Sequence, residues 1–153
     1  MNGQTFISEI HLPGTLSSEA VTNFIERAHI LHPKALAGDY DLQVFGAKLA
    51  SYAHAIILKR TDSGQWVGGC FGYCNNTETK VAYISFIAKT IPDKGLGRQL
   101  MDAFCALSKR AGMHTLRLEV NSRNTNAQAF YHHYGLVQKD VTNHSFYMEM
   151  PLN

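Results

Sequence analysis

Pro92-Asp93-Lys94-Gly95-Leu96-Gly97-Arg98 lies between an apolar run, Val81 to Lys89, and an amphipathic stretch that begins at once after the turn. Two glycines bracket one apolar residue. Such a turn leaves backbone N–H groups unpaired at the positive end of a helix dipole, which suits a phosphate. Many Gly-x-Gly turns merely end a strand, so the meaning of this one depends on its flanks.

Upstream, Ala53 to Arg60, Val67 to Cys74 and Val81 to Lys89 read as three strands. The turns Thr61-Asp62-Ser63-Gly64 and Asn75-Asn76 make them an antiparallel meander. Glycines at 68, 69 and 72 predict close approach by another element. Earlier still, Gln4 to Leu12 reads as a strand closed by Pro13-Gly14. Ser17 then caps a helix with Glu19 in its first turn and Val21, Phe24, Ile25, Ala28 and Leu31 on one face. Pro33 stops it. Asp39 or Asp41 caps a second helix, with Leu42, Phe45 and Leu49 facing inward.

Downstream, Leu100, Phe104, Leu107 and Ala111 share a helical face that ends at Gly112. Thr115 to Val120 is the next strand, and strand–helix–strand in this order implies a parallel crossover pair. Asn124 to Tyr134 reads as a helix ended by Gly135. Leu136 to Lys139 and Ser145 to Met150 close the sheet as a hairpin-like pair. The order β-α-α-β-β-β-α-β-α-β-β predicts an α/β (α+β) fold in which a mixed, mostly antiparallel sheet is flanked by about four helices.

The 153 residues fit a single domain spanning 1–153, with 45% hydrophobic and 17% charged residues. A net charge of +2 gives no electrostatic case for nucleic acid or a membrane surface. No apolar run is long enough to span a bilayer, and the N-terminus lacks signal-peptide regions, so the expected compartment is cytoplasmic. Cys70, Cys74 and Cys105 read as small reduced core thiols; Cys70 and Cys74 are four apart on one strand face and do not pair. No metal-ligand spacing is evident among the histidines or cysteines. His132 and His133 are adjacent and diverge on a helix, His29 and His32 read as rim residues, and His54 is a candidate for lining a pocket.

The block Leu118-Glu119-Val120-Asn121-Ser122-Arg123-Asn124-Thr125-Asn126-Ala127-Gln128-Ala129-Phe130-Tyr131-His132-His133-Tyr134-Gly135-Leu136 gives the Gly95-Leu96-Gly97 turn a context. It fits Asn-x-x-Ala-x-x-x-Tyr-x-x-x-Gly-(Phe/Leu) at every fixed position. Together, the two motifs and the element order resemble the GNAT family of acyl-CoA-dependent N-acetyltransferases. The resemblance is strong over residues 81 to 137 and loose before that. The chain departs from the family pattern before the turn, where Pro92 and Asp93 replace the usual Gln or Arg and a frequent Gly.

The resemblance implies acetyl-CoA as co-substrate, no metal, and a small-molecule or peptide amine as acceptor. Acetyl transfer must hold the phosphates, stabilise charge on the thioester oxygen, and move protons from the amine and to the leaving thiolate. The implied pyrophosphate loop runs from Asp93 through Lys94, Gly95, Leu96, Gly97 and Arg98, with Lys94 and Arg98 adding charge. Ile87, Ala88 and Lys89 correspond to the strand end that splays away from its parallel neighbour, pairs with the pantetheine arm and turns one N–H to the thioester. Counting back from Gly95 gives Ile87 for that N–H; allowing for a shorter loop gives Lys89. Tyr131 stands at the general-acid position; packed core tyrosine is the competing reading.

Glu119 is the candidate base, because ribosomal-protein N-terminal acetyltransferases have a similar Leu-Glu-Val segment. An ion pair with Arg117, on the same strand face, is the competing role for Glu119, and a water chain is the competing base. Asn124 is expected to contact pantetheine, to cap its own helix, or both. A non-catalytic acyl-CoA-binding or protein-interaction module is the alternative function. The acceptor's identity stays open, and a homodimer through C-terminal strand edges is an option.

Overall fold

The computed structural model describes residues 5–36, 38–93 and 95–153. Gln4, expected in the first strand, lies outside them. Strand β1 (Phe6–His11) leads into helices α1 (Ser18–Leu31) and α2 (Leu42–Tyr52). Then follow β2 (His54–Arg60), β3 (Trp66–Tyr73), β4 (Val81–Lys89), α3 (Leu96–Arg110), β5 (Thr115–Asn121), α4 (Thr125–Tyr134), β6 (Val137–Val141) and β7 (Ser145–Pro151).

Local chemistry sets the helix starts. Ser17 accepts a hydrogen bond from the Ala20 N–H at 3.1 Å. Asp41, not Asp39, caps α2, accepting from the N–H groups of Gln43 and Val44. α1 buries Val21, Phe24, Ile25 and Ala28. Leu31, expected on that stripe, is exposed and borders a shallow groove with Ile30 and Ile91. Ala111 is likewise exposed at the C-cap of α3.

All seven strands form one sheet in the order β1-β2-β3-β4-β5-β7-β6. Every pairing is antiparallel except β4 with β5, the crossover pair. β7 enters between β5 and β6, which the sequence pattern did not specify. The reason is composition: β7 buries Ser145 and Met148, whereas all five residues of β6 are exposed. A strand carrying Gln138, Lys139 and Asp140 suits a sheet edge.

Two apolar clusters cover the two faces. One joins α3 and α4 to the sheet through Leu100, Phe104, Leu118 and Tyr131. The other joins α1 and α2 through Phe24, Phe45, Leu49, Phe71 and Phe86. The β3 glycines are where helices meet strand. A Cβ at Gly69 would lie 2.9 Å from the Phe24 ring, and one at Gly72 would lie 2.5 Å from the Phe104 ring.

Candidate active site

β4 and β5 stay paired only from Val81↔Thr115 to Ile84↔Leu118. Beyond that, β4 runs on to Lys89 and β5 to Asn121 without pairing each other. A bulge opens the gap. On β3 the partners of Phe71 and Gly72 are Phe86 and Ile84, so Ser85 is the extra residue. Its insertion switches faces: Ala82 and Ile84 join the α3/α4 cluster, whereas Phe86 joins the α1/α2 cluster.

The ladder also decides which backbone groups face the gap. The Thr90 N–H bonds to the Val67 carbonyl at 2.9 Å, toward β3. Alternation then turns the peptide groups of Ala88 toward β3 and those of Ile87 and Lys89 toward the gap. The two counts from sequence, Ile87 and Lys89, thus name two residues on one free edge. The Lys89 carbonyl already accepts from His32 Nε2 at 2.9 Å, and Lys89 Nζ donates to the Asp93 carbonyl at 2.8 Å.

α3 begins differently from its fellows. Ser17, Asp41 and Asn124 cap α1, α2 and α4 with side-chain oxygens. Gly95 caps α3 from the left-handed region at φ 93°, with no side-chain hydrogen bond. The first α3 ladder bond runs from the Gln99 N–H to the Gly95 carbonyl, leaving the amides of Leu96, Gly97 and Arg98 without helical acceptors. Gly97 serves packing as well, since a Cβ there would meet the Phe130 ring at 3.3 Å. The Arg98 guanidinium lies over the Tyr134 ring at 5.2 Å. Lys94 lies outside the described residues.

Tyr131 packs on the α3/α4 face, 8% exposed, edge-on to Phe130 at 5.5 Å. Burial pushes its phenol well above the usual tyrosine range, with Cys70 adding to the effect. Cys70 is paired in register with Ile87, so Tyr131 lies alongside the unpaired part of β4. Tyr134 donates to Asp102 Oδ1 at 2.5 Å, and burial with this bond raises its pKa.

Glu119 stands on the opposite face, just past the last β4–β5 pair. Its carboxylate accepts from the Ser145 hydroxyl. Arg117 does not pair with it: that guanidinium bonds to Glu149 and, at 3.0 Å, to Asp140. Around Glu119 stand tyrosines from distant parts of the chain. Tyr147 is its cross-strand partner on β7, and Tyr83 is paired with Arg117. Tyr83 is held above the usual range by burial first, then by Glu119, Tyr147 and Tyr40. No short-range motif joins positions 40, 83 and 147, and the sequence reading missed them. His54 alternates with Ala55 and Ile57 of the α1/α2 cluster, which turns it to the opposite face from Glu119.

The loop after α1 straps the gap at its open end. His32 reaches Lys89 on β4, as described. Asn121 Nδ2 donates to the Leu36 carbonyl at 3.1 Å, and Asn124 Nδ2 to the Lys34 carbonyl at 3.3 Å. Asn124 caps α4 through the Ala127 N–H at 3.2 Å, so its two side-chain functions are divided between helix and loop.

The sheet thus splits beside a glycine-initiated helix without a side-chain cap, with a buried tyrosine on one face and a glutamate on the other. A family model described as the Acetyltransferase (GNAT) family matches residues 20–136, and the chain belongs to that family. Among solved structures, the ribosomal-protein-S18-alanine N-acetyltransferase from Escherichia coli superposes with TM-score 0.71 at 20% identity, over 96% of this chain and 95% of that one. A protein from Salmonella typhimurium, solved with its cofactor acetyl-CoA, gives TM-score 0.66 at 16% identity over 99% and 95%. A nourseothricin acetyltransferase gives 0.61 at 19% identity, and the match spans 66% of each chain. Likeness at these identities carries the fold. No curated protein matches the chain. Among the described residues, no helix is long and apolar enough to cross a membrane.

Proposed function

We propose that this protein moves an acetyl group from acetyl-CoA directly to a primary amine within a ternary complex. The observation that carries the reading is the split between β4 and β5 beside the uncapped start of α3. Acetyl-CoA fits those groups: the amides of Leu96, Gly97 and Arg98 suit its pyrophosphate, and the gap-facing peptide groups of Ile87 and Lys89 suit the pantetheine arm and thioester. The co-substrate supplies the activated acetyl carbon.

This chain's residues would supply the proton transfers. Tyr131, kept protonated by burial, is the group to hand a proton to the departing thiolate. Glu119, on the other face, is the group to take one from the incoming ammonium. An alkylamine with pKa of about 10.4 is almost wholly protonated at neutral pH, so this removal is a real barrier. Asn124 would complete the pantetheine side through its Nδ2, which bonds to the Lys34 carbonyl here.

Calorimetric titration with acetyl-CoA, followed by an amine panel read by CoA release, tests the assignment. Micromolar binding and turnover of at least one amine are expected. Binding without turnover of any amine would leave an acyl-CoA-binding module, and no binding would end the reading.

A further inference from the structure

The face of the sheet that carries Glu119 is roofed by α1 and α2 over the β2–β4 side, through Phe24, Phe45, Leu49, Phe71 and Phe86. Over β5 and β7 it carries polar and aromatic side chains instead. Alternation puts Tyr83 there, because its neighbours Ala82 and Ile84 join the opposite cluster. Register then adds Arg117 beside Tyr83, Tyr147 beside Glu119, and Glu149 beside Arg117. Tyr40 comes from the strap loop, its ring stacked on Phe45 at 5.0 Å. Tyr83 and Tyr147 therefore flank one carboxylate by register, and Tyr40 lies near enough to feel its charge.

Charge on this face is unbalanced. Arg117 is closed by Glu149 and Asp140 and lies over the Tyr147 ring at 4.0 Å. Against that guanidinium stand three carboxylates, Glu149, Asp140 and Glu119, the last accepting from the neutral Ser145 hydroxyl. A cation brought against tyrosine faces and a carboxylate gains from both the ring quadrupole and the counter-charge. An acceptor bearing its own carboxylate would meet Glu119 and Glu149 with Arg117 already engaged.

We propose that Tyr40, Tyr83 and Tyr147 with Glu119 form the acceptor site, and that it takes a small organic cation, an amine with no carboxylate beside its ammonium. The strap that carries Tyr40 is held to the end of β5 by Asn121 through the Leu36 carbonyl, a bond the cofactor does not compete for, and it crosses the open end of the gap. This rests on the acetyltransferase reading for its chemistry, but not for its binding.

Two measurements separate the claims. Tetramethylammonium, which cannot be acetylated, is titrated into the full-length protein and followed by NMR of the tyrosine rings. Saturable shifts are expected at Tyr83 and Tyr147, with affinity reduced about fivefold in Tyr40→Leu and kept in Tyr40→Phe. The second readout is kcat/KM for tyramine against tyrosine and for phenethylamine against phenylalanine, with at least a tenfold preference for the decarboxylated member. Tetramethylammonium binding with no turnover of any amine sustains the cup and ends the enzyme reading. Turnover without cation binding or preference, or with a peptide N-terminus as the better acceptor, overturns the cup and leaves the enzyme reading standing.

Discussion

Tyr131 and Glu119 flank the same gap from opposite sides of the sheet, and their surroundings differ in kind. Tyr131 sits among apolar side chains contributed by α3, α4 and the strands beneath them. Glu119 sits among hydroxyls and rings contributed by β4, β7 and a loop. Burial on the covered face holds the Tyr131 phenol protonated. The open face carries charged and hydroxyl groups instead. The comparison teaches that one sheet can bring a buried phenol and a carboxylate to one opening only where its strands part and both faces reach it, which is what the proposed acid and base require.

The largest effect is expected from removing the proposed acid on the covered face. Tyr131→Phe keeps the packed ring and deletes one hydroxyl. Turnover should fall by about 10²- to 10⁴-fold while calorimetric acetyl-CoA affinity stays the same. Unchanged turnover would make Tyr131 a packing residue, and the two faces would then differ only in solvent access.

On the open face, Glu119→Gln should lower kcat/KM by about 10²-fold at neutral pH. The deficit should shrink toward pH 10, because the amine then loses its proton unaided. A deficit that is constant with pH would assign Glu119 to binding alone and leave a water chain as the base.

Gly72→Ala challenges the scaffold that holds both faces together. Its Cβ would lie 2.5 Å from the Phe104 ring and 2.6 Å from the Tyr83 carbonyl, a backbone atom that cannot rotate away. A loss of about 1–3 kcal/mol in chemical denaturation is expected, the range for overpacking in a tight core. A neutral result would mean that α3 lifts off β3 without cost, and that the covered face is looser than its packing implies.

The elements that build both faces were largely legible in the sequence, and the polar cluster on the open face was not. Val81 to Lys89 forms a strand over the very residues that its pattern marked, and Ser17, Asp41 and Asn124 all act as caps. These follow from neighbours a few positions apart. The bulge at Ser85 left no such trace, because one inserted residue changes faces without disturbing composition. It is what separates Ile87 and Lys89 from Ala88 as gap-facing residues. The proposed cup draws on positions 40, 83, 119 and 147, which only the register of three strands and a loop brings together. Arg117 shows the same limit: it shares a strand face with Glu119, yet β6 and β7 supply its partners.

The smallest effect concerns His54, which the alternation of β2 places on the α3/α4 face. Burial holds its pKa below the ordinary histidine value of 6.5, and its Nδ1 is buried without a partner. The unfolded chain therefore binds a proton at a higher pH than the folded one does. The neutral ring contributes its full stability above pH 6.5, and that contribution fades as pH falls through the lower folded value. Thermal unfolding followed from pH 7.5 to 5 should show a decline that His54→Leu reduces, once each protein is referenced to its own stability at pH 7.5. An identical decline in both would mean that protonated His54 is accommodated, and the covered face would then be wet at its β2 end where it is dry around Tyr131.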